Sequence, residues 1–241
     1  KTTNEELQQD LNSLDLSEKG MHCIFSPRKD LDMLKFYAEL LDSAKDCACI
    51  TLAFGIHKFF ELALSDNTSK NALTFLLLER DEKGLFDYVY KNNVVKAVGS
   101  YIQDDSTYKW VKETNTKYLG LNTWVKFIHT KFLLVDPLSN DPIVVTGSAN
   151  FSEASLEKND ENMLIIKGDK RVADIYFTEF LRLFNHYYFR WVVNQTKNKS
   201  NSTNENPAFL KSDDSWTEQY KNDKYKRKKI EMFTNNKEYF N

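Results

Sequence analysis

Phe127-Ile-His-Thr-Lys-Phe-Leu-Leu-Val-Asp136 is the stretch on which the reading of this 241-residue chain turns. A strand entering at Trp124, a turn at Pro137-Leu-Ser-Asn-Asp-Pro142 and a return strand Ile143-Val-Val-Thr146 make an antiparallel hairpin. Alternate side chains of a strand share a face, so His129 and Lys131 are expected side by side, in one row with Phe127 and Leu133. An imidazole beside a fixed cation suits phosphate-ester chemistry. The ring attacks or protonates the ester while the ammonium holds a phosphate oxygen. Gly147-Ser-Ala-Asn-Phe-Ser152 follows, where Gly147 lets the backbone approach a ligand and Ser148 and Asn150 offer donors to the same oxyanion. Asn159-Asp-Glu-Asn162 then precedes the apolar strand Met163-Leu-Ile-Ile166. Taken singly, these features have ordinary explanations as an exposed edge pair, a turn aspartate before Pro137 and a polar loop.

Around this stretch, strands alternate with helices. Met21–Phe25, Cys47–Phe54, Leu73–Leu78 and Val94–Val98 read as strands. Helices are expected from an Asp30 cap to about Lys45, over His57–Leu64, and over Leu85–Tyr90. A long helix capped by Asp169 should run to about Asn194, with Val172, Ile175, Tyr176, Glu179, Phe180, Leu183 and Phe184 as its stripe. The alternation predicts an α/β fold with a mixed sheet. Residues 1–20 read as a linker or surface helix and 21–195 as the folded half-domain. Residues 196–241 read as a polar loop followed by a basic, aromatic tail around Lys224-Tyr-Lys-Arg-Lys-Lys229. The nearby Asp213, Asp214, Glu218 and Asp223 favour a solvated helical face for that cluster over a track for a phosphate backbone. Residues 102–123 are polar and are expected as a loop at the mouth of the site or a surface excursion.

A net charge of −2 supplies no global field for nucleic acid or anionic lipid, so a polyanion site has to be a local cluster. No apolar run is long enough to span a membrane and no secretory segment opens the chain, which leaves the compartment open with a lean toward the cytoplasm. The start at Lys1 suggests a chain processed or cut from something longer. Cys47 and Cys49 lie too close along a strand for a disulfide and are expected as buried free thiols. No cofactor is implied, and no carboxylate or His/Cys cluster has metal-ligand spacing. His57 is read as a capping or surface residue and His186 as a packing residue.

His129-x-Lys131-x4-Asp136, then Gly147-Ser-x-Asn150, then Glu161 before a strand, resembles the phospholipase D superfamily. Phe25-Ser-Pro-Arg28, Ala53-Phe-Gly55 and Arg171-Val-Ala-Asp174 resemble the second half of bacterial members carrying two such motifs. The resemblance implies a mixed sheet flanked by helices on both faces, forming one catalytic half. It implies His129 as a catalytic histidine, Lys131, Ser148 and Asn150 as phosphate-binding residues, and Glu161 as the acceptor that fixes the His129 tautomer. Asp136 would complete the catalytic set of His129, Lys131 and Glu161, in a mainly structural part, pairing with basic groups behind the site. Relatives hydrolyse phosphodiesters through two histidines across a pseudo-twofold axis, without metal. The partner would therefore be a second motif, from an absent N-terminal half or a homodimer mate. A nuclease-type activity is the expectation; phospholipase action on phospholipid, and a non-catalytic half-domain that binds nucleic acid or a partner, are the alternatives.

Overall fold

The computed structural model describes residues 14–65, 72–81, 93–100, 126–199 and 212–234. The Leu85–Tyr90 helix, the 102–123 loop and the strand entry at Trp124 lie outside them. Seven strands form one mixed sheet: β1 (Gly20–Phe25), β2 (Cys47–Leu52), β3 (Leu73–Leu78), β4 (Val94–Val98), β5 (Phe132–Val135), β6 (Ile143–Gly147) and β7 (Asn162–Lys167). Their order across the sheet is β1-β7-β6-β5-β2-β3-β4. β2, β3 and β4 run parallel, whereas β5, β6, β7 and β1 pair antiparallel in turn. The architecture is the expected α/β fold with a mixed sheet.

Strands β2 and β3 are buried at all six positions each, as their sequences, apolar except for Thr51 and Thr74, require of strands covered on both faces. Their side chains divide by alternation. Ala48, Ile50, Leu52, Leu76 and Leu78 join a core with α1 (Asp32–Asp42) and α2 (Lys58–Ser65). Cys47, Cys49, Leu73, Phe75 and Leu77 join a second core under the long helix α4 (Lys170–Lys199). β5 is split in the same way, with Leu133 and Val135 in the first core and Phe132 and Leu134 in the second. A fully buried Leu or Phe contributes about 1.5–3 kcal/mol, so these two layers dominate the stability of the sheet.

Several expectations are corrected. The first helix begins at Asp32 with Leu31 at its cap position and no side-chain bond there, so Asp30 caps nothing. Asp169 does cap α4, accepting from the Val172 N–H at 3.0 Å. The helix continues to Lys199, and its buried stripe is Ala173, Phe177, Phe180 and Phe184; Ile175 is exposed. Of the expected stripe, Phe180 and Phe184 are buried and Val172, Tyr176 and Leu183 pack against the second core, so the face is the expected one apart from Ile175. His186 is exposed rather than packed. Before β1, Leu14 and Leu16 pack on the first core without helical structure. The tail forms a 3-10 turn (Asp214–Thr217), α5 (Glu218–Asn222) and α6 (Lys224–Thr234), with a short helix α3 (Glu153–Glu157) earlier in the chain. Tyr225 and Met232 enter the second core, and Phe233 stacks on Phe177 at 5.8 Å between centroids. The Lys229 ammonium lies 5.9 Å from the centre of the Phe75 ring, so part of the basic cluster is engaged in packing.

Candidate active site

The sheet topology gathers the predicted residues at one edge. β2, β3 and β4 end there with their carboxyl termini. β5 and β7, running the other way, begin there, and β6 ends there. His129 and Lys131 just precede β5, Ser148 and Asn150 just follow β6, and Glu161 just precedes β7. The chain builds β2, β3 and β4 outward and then returns to the other side of β2 for β5. Strand order therefore reverses between β2 and β5, and the crevice beyond the carboxyl ends at such a reversal is where open α/β sheets bind ligands.

The strand itself is shorter than expected. β5 begins at Phe132, so His129 and Lys131 lie on an extended lead-in held by side chains rather than in a ladder. The cause is Thr51, which is buried. Its hydroxyl donates to the Thr130 carbonyl at 2.8 Å and accepts from the Phe132 N–H at 3.2 Å, taking the place of the ladder bonds beside Lys131. Glu79 holds the preceding turn. Its carboxylate, in a residue only 2% exposed, accepts from the backbone N–H groups of Lys126, Phe127 and Ile128 at 2.6, 2.9 and 2.6 Å. Sequence reasoning missed both residues. An acid at the end of Leu73–Leu78 and a threonine inside a strand carry no local signal of such roles.

The imidazole of His129 is exposed and meets the edge of the half-exposed Phe54 ring, 5.9 Å between centroids. Lys131 turns back to donate to the His129 carbonyl at 2.8 Å. Partial burial pushes the His129 pKa down and the Lys131 charge adds to this, while Glu79 opposes both. Burial also lowers the Lys131 pKa, and Glu161 pulls it back up. The expected Glu161–His129 hydrogen bond is not formed. Glu161 accepts from Asn159 Nδ2 at 3.3 Å and acts electrostatically on Lys131. The carboxylate that acts electrostatically on His129 is Glu79 instead.

Phe132 pairs with Thr146 and Gly147 with Met163, so Lys131 and Ser148 lie just beyond the paired ends of β5 and β6, beside Asn162 at the start of β7. The Ser148 hydroxyl accepts from the Asn162 N–H at 3.0 Å, and Asn150 Nδ2 donates to Ser155 Oγ at 3.4 Å, leaving Asn150 Oδ1 buried without a partner. Gly147 serves the sheet rather than a ligand: a Cβ there would lie 2.1 Å from the Asn162 carbonyl oxygen. Asp136 lies at the opposite edge, beyond the other end of β5. It does not pair with basic side chains. Its carboxylate accepts from the backbone N–H groups of Lys45, Asp46 and Cys47 at 2.8–3.1 Å, in a left-handed conformation (φ 45°) that aspartate tolerates. It therefore anchors β5 and does not reach the reacting end. His57 is at the start of α2, where Nδ1 accepts from the Phe59 N–H at 3.3 Å. Cys47 and Cys49 are free and buried, with sulfurs 3.9 Å apart. Among the described residues, no group of three or more His, Cys, Asp or Glu could hold a metal ion.

A family model described as cardiolipin synthase, PLD-like domain matches residues 37–184, more than half of the chain and every strand from β2 through β7. The chain belongs to the phospholipase D-like family. Among solved structures, this phospholipase D-like domain is similar to Nuc, a phospholipase D family member from Salmonella typhimurium. The two are 19% identical with a TM-score of 0.47, covering 70% of this chain and 95% of that one. It is also similar to NucT from Helicobacter pylori, at 16% identity and a TM-score of 0.48, covering 68% and 97%. TrmBL2, described as an archaeal chromatin protein with a novel mode of DNA binding, is 14% identical with a TM-score of 0.45, covering 77% and 60%. No curated protein matches the chain in sequence. No helix among the described residues is long and apolar enough to cross a membrane.

Proposed function

We propose that this domain is one catalytic half of a nuclease-type phosphodiesterase that works through two histidines. The observation that supports the reading is the placement of His129 and Lys131 at the sheet edge that also carries Ser148, Asn150 and Glu161, at the reversal of strand order. In this reading residues 21–195 form the catalytic half, with 1–20 and 196–241 flanking it. Lys131 binds a non-bridging phosphate oxygen, its charge supported by Glu161, and Ser148 and Asn150 supply further donors. His129 protonates the leaving oxygen and then draws a proton from the attacking water. A second histidine attacks phosphorus and carries the phosphoryl group as a phosphohistidine. That second His-x-Lys comes from another segment or from a second copy of the chain. Asp136 holds the frame of β5 and takes no part in the chemistry.

Nucleic acid is the favoured substrate because cations at this edge, Lys126, Lys131 and Arg80, are interleaved with the half-exposed Phe25 and Phe54, a pairing suited to a single strand with stacked bases. Those two exposed rings also favour a second reading, a phospholipid substrate with its chains against them. The test is a panel of single-stranded DNA, RNA and phosphatidylcholine vesicles, incubated with the completed enzyme in EDTA. Cleavage of DNA or RNA alone is the expected result. Cleavage of phosphatidylcholine alone replaces the first reading with the second, and turnover of none of the three by an enzyme supplied with its second motif overturns both.

A further inference from the structure

Next to the His129 site, the far ends of β3 and β4 and the last turns of α4 enclose an open pocket of about 610 Å³, within the size range of ligand sites. Its inner wall is Lys126-Phe127, the turn held by Glu79, and His129 follows Phe127 by only two residues. The lining is rich in donors. The Trp191 indole Nε1 and the Ser100 hydroxyl are both buried and have no hydrogen-bond partner. Arg80 and Lys126 are exposed at its walls. The two carboxylates of the wall are already engaged. Glu79 accepts three backbone N–H groups, and Asp81 is paired at 2.9 Å with Lys96, itself buried under the Trp191 ring at 5.0 Å from the centroid. An indole N–H can only donate, so a buried one without a partner calls for an acceptor. Two donors with nothing to donate to, between two cations, fit an oxyanion with several acceptor oxygens.

We infer that this pocket is a subsite for a nucleotide phosphate, occupied by a flanking phosphate of the strand whose scissile diester sits at His129. The inference rests on the nuclease reading for its source of phosphate, but the pocket's own chemistry asks only for a phosphate group. Trp191 Nε1 and Ser100 donate to it, and Lys126 and Arg80 neutralise it. Because Glu79 fixes both the pocket wall and the turn that leads into His129, a strand seated here is aligned with the reacting edge.

The test follows the Trp191 Nε1–H resonance of the intact chain by NMR, identified by its disappearance in Trp191→Phe. Thymidine, dTMP, inorganic phosphate and a short thymidine oligonucleotide are titrated in turn. The expected result is a shift with dTMP, phosphate and the oligonucleotide but not with thymidine. Binding should weaken about tenfold in Lys126→Glu, the loss of one charge-assisted contact, while Lys131→Ala still shows the shift. Tighter binding of the oligonucleotide than of dTMP assigns the phosphate to a strand, and equal binding assigns it to a free nucleotide; both support the phosphate subsite. A shift with thymidine equal to that with dTMP, or no shift with any ligand, overturns it. So does a shift that persists in Lys126→Glu and vanishes in Lys131→Ala. Nuclease assays run in parallel separate the two readings. Phosphate binding here without cleavage of nucleic acid counts against the nuclease assignment alone, and cleavage with an unresponsive Trp191 counts against the subsite alone.

Discussion

In the proposed mechanism, the state of a single imidazole governs the chemistry. His129 is exposed, so its removal opens no core cavity: His129→Ala should keep the wild-type unfolding midpoint while turnover falls by about 10²–10⁴ or more, the usual worth of a general acid–base group. Partial burial and the Lys131 charge both disfavour the imidazolium, so the free His129 should titrate below the ordinary histidine value of about 6.5. Removing the cation removes one of those pressures, so Lys131→Met should raise the pKa. Removing the opposing carboxylate with Glu79→Gln should lower it further. A phosphate anion at the site should raise it, which places a proton on His129 when the substrate arrives. An NMR pH titration of His129 in the three proteins, with and without inorganic phosphate, reads all of these signs. A pKa that falls in Lys131→Met would contradict the assignment of Lys131 as the neighbouring cation.

At the scale of elements, β5 is short because the side chains of Thr51 in β2 and of Glu79 just after β3 stand in for a ladder. Thr51→Val keeps the shape of a buried side chain but leaves the Phe132 N–H and the Thr130 carbonyl without partners. A loss of about 1–3 kcal/mol in chemical denaturation is expected, with kcat falling more than KM changes, because Lys131 lies between the two released groups. Glu79→Ala exposes a larger deficit, three N–H groups of which that of Ile128 is buried, and should cost more than Thr51→Val by the same measurement. Gly147 is decided by the neighbouring strand. In Gly147→Ala the new methyl would sit 2.1 Å from the Asn162 carbonyl, so β6 and β7 must part, at a cost on the order of 1–3 kcal/mol or more. Asp136 works at the other end of β5, and Asp136→Asn should be milder than Asp136→Ala. Asparagine keeps one acceptor oxygen and tolerates the left-handed backbone, whereas alanine offers neither.

For the whole molecule, the proposed mechanism makes one His-x-Lys pair half of a two-histidine site. The isolated chain should turn over weakly if at all, and a partner supplying the second motif should restore activity. If the partner is another copy, specific activity rises with protein concentration in step with dimer formation, as read by sedimentation. Full activity from a dilute monomer would refute the shared site. Hydrolysis should persist in EDTA, because Lys131 and the neutral donors are assigned the work of stabilising phosphoryl charge. Activity that vanishes on chelation and returns with magnesium or zinc would overturn that assignment.

The sequence by itself determined the elements whose information is local. Leu73–Leu78 and Val94–Val98 were legible to the residue because each is an apolar run broken at one position only, Thr74 and Lys96, as strands covered on both faces tend to be. The Asp169 cap was legible because capping reaches only three residues along the chain. The spacing of His129, Lys131, Ser148, Asn150 and Glu161 identified the family before any coordinates. The tertiary structure decided what those residues touch. Thr51 meets Thr130 and Phe132, Glu79 meets residues 126–128, and Asp136 meets residues 45–47, pairs separated by about fifty to ninety positions. Each is a side chain bonded to the backbone of a distant segment, and backbone groups are alike at every residue, so no pattern of side chains announces which of them will be met. The length of β5 and the donor-lined pocket at Trp191 follow from such contacts, which exist only once the sheet has closed.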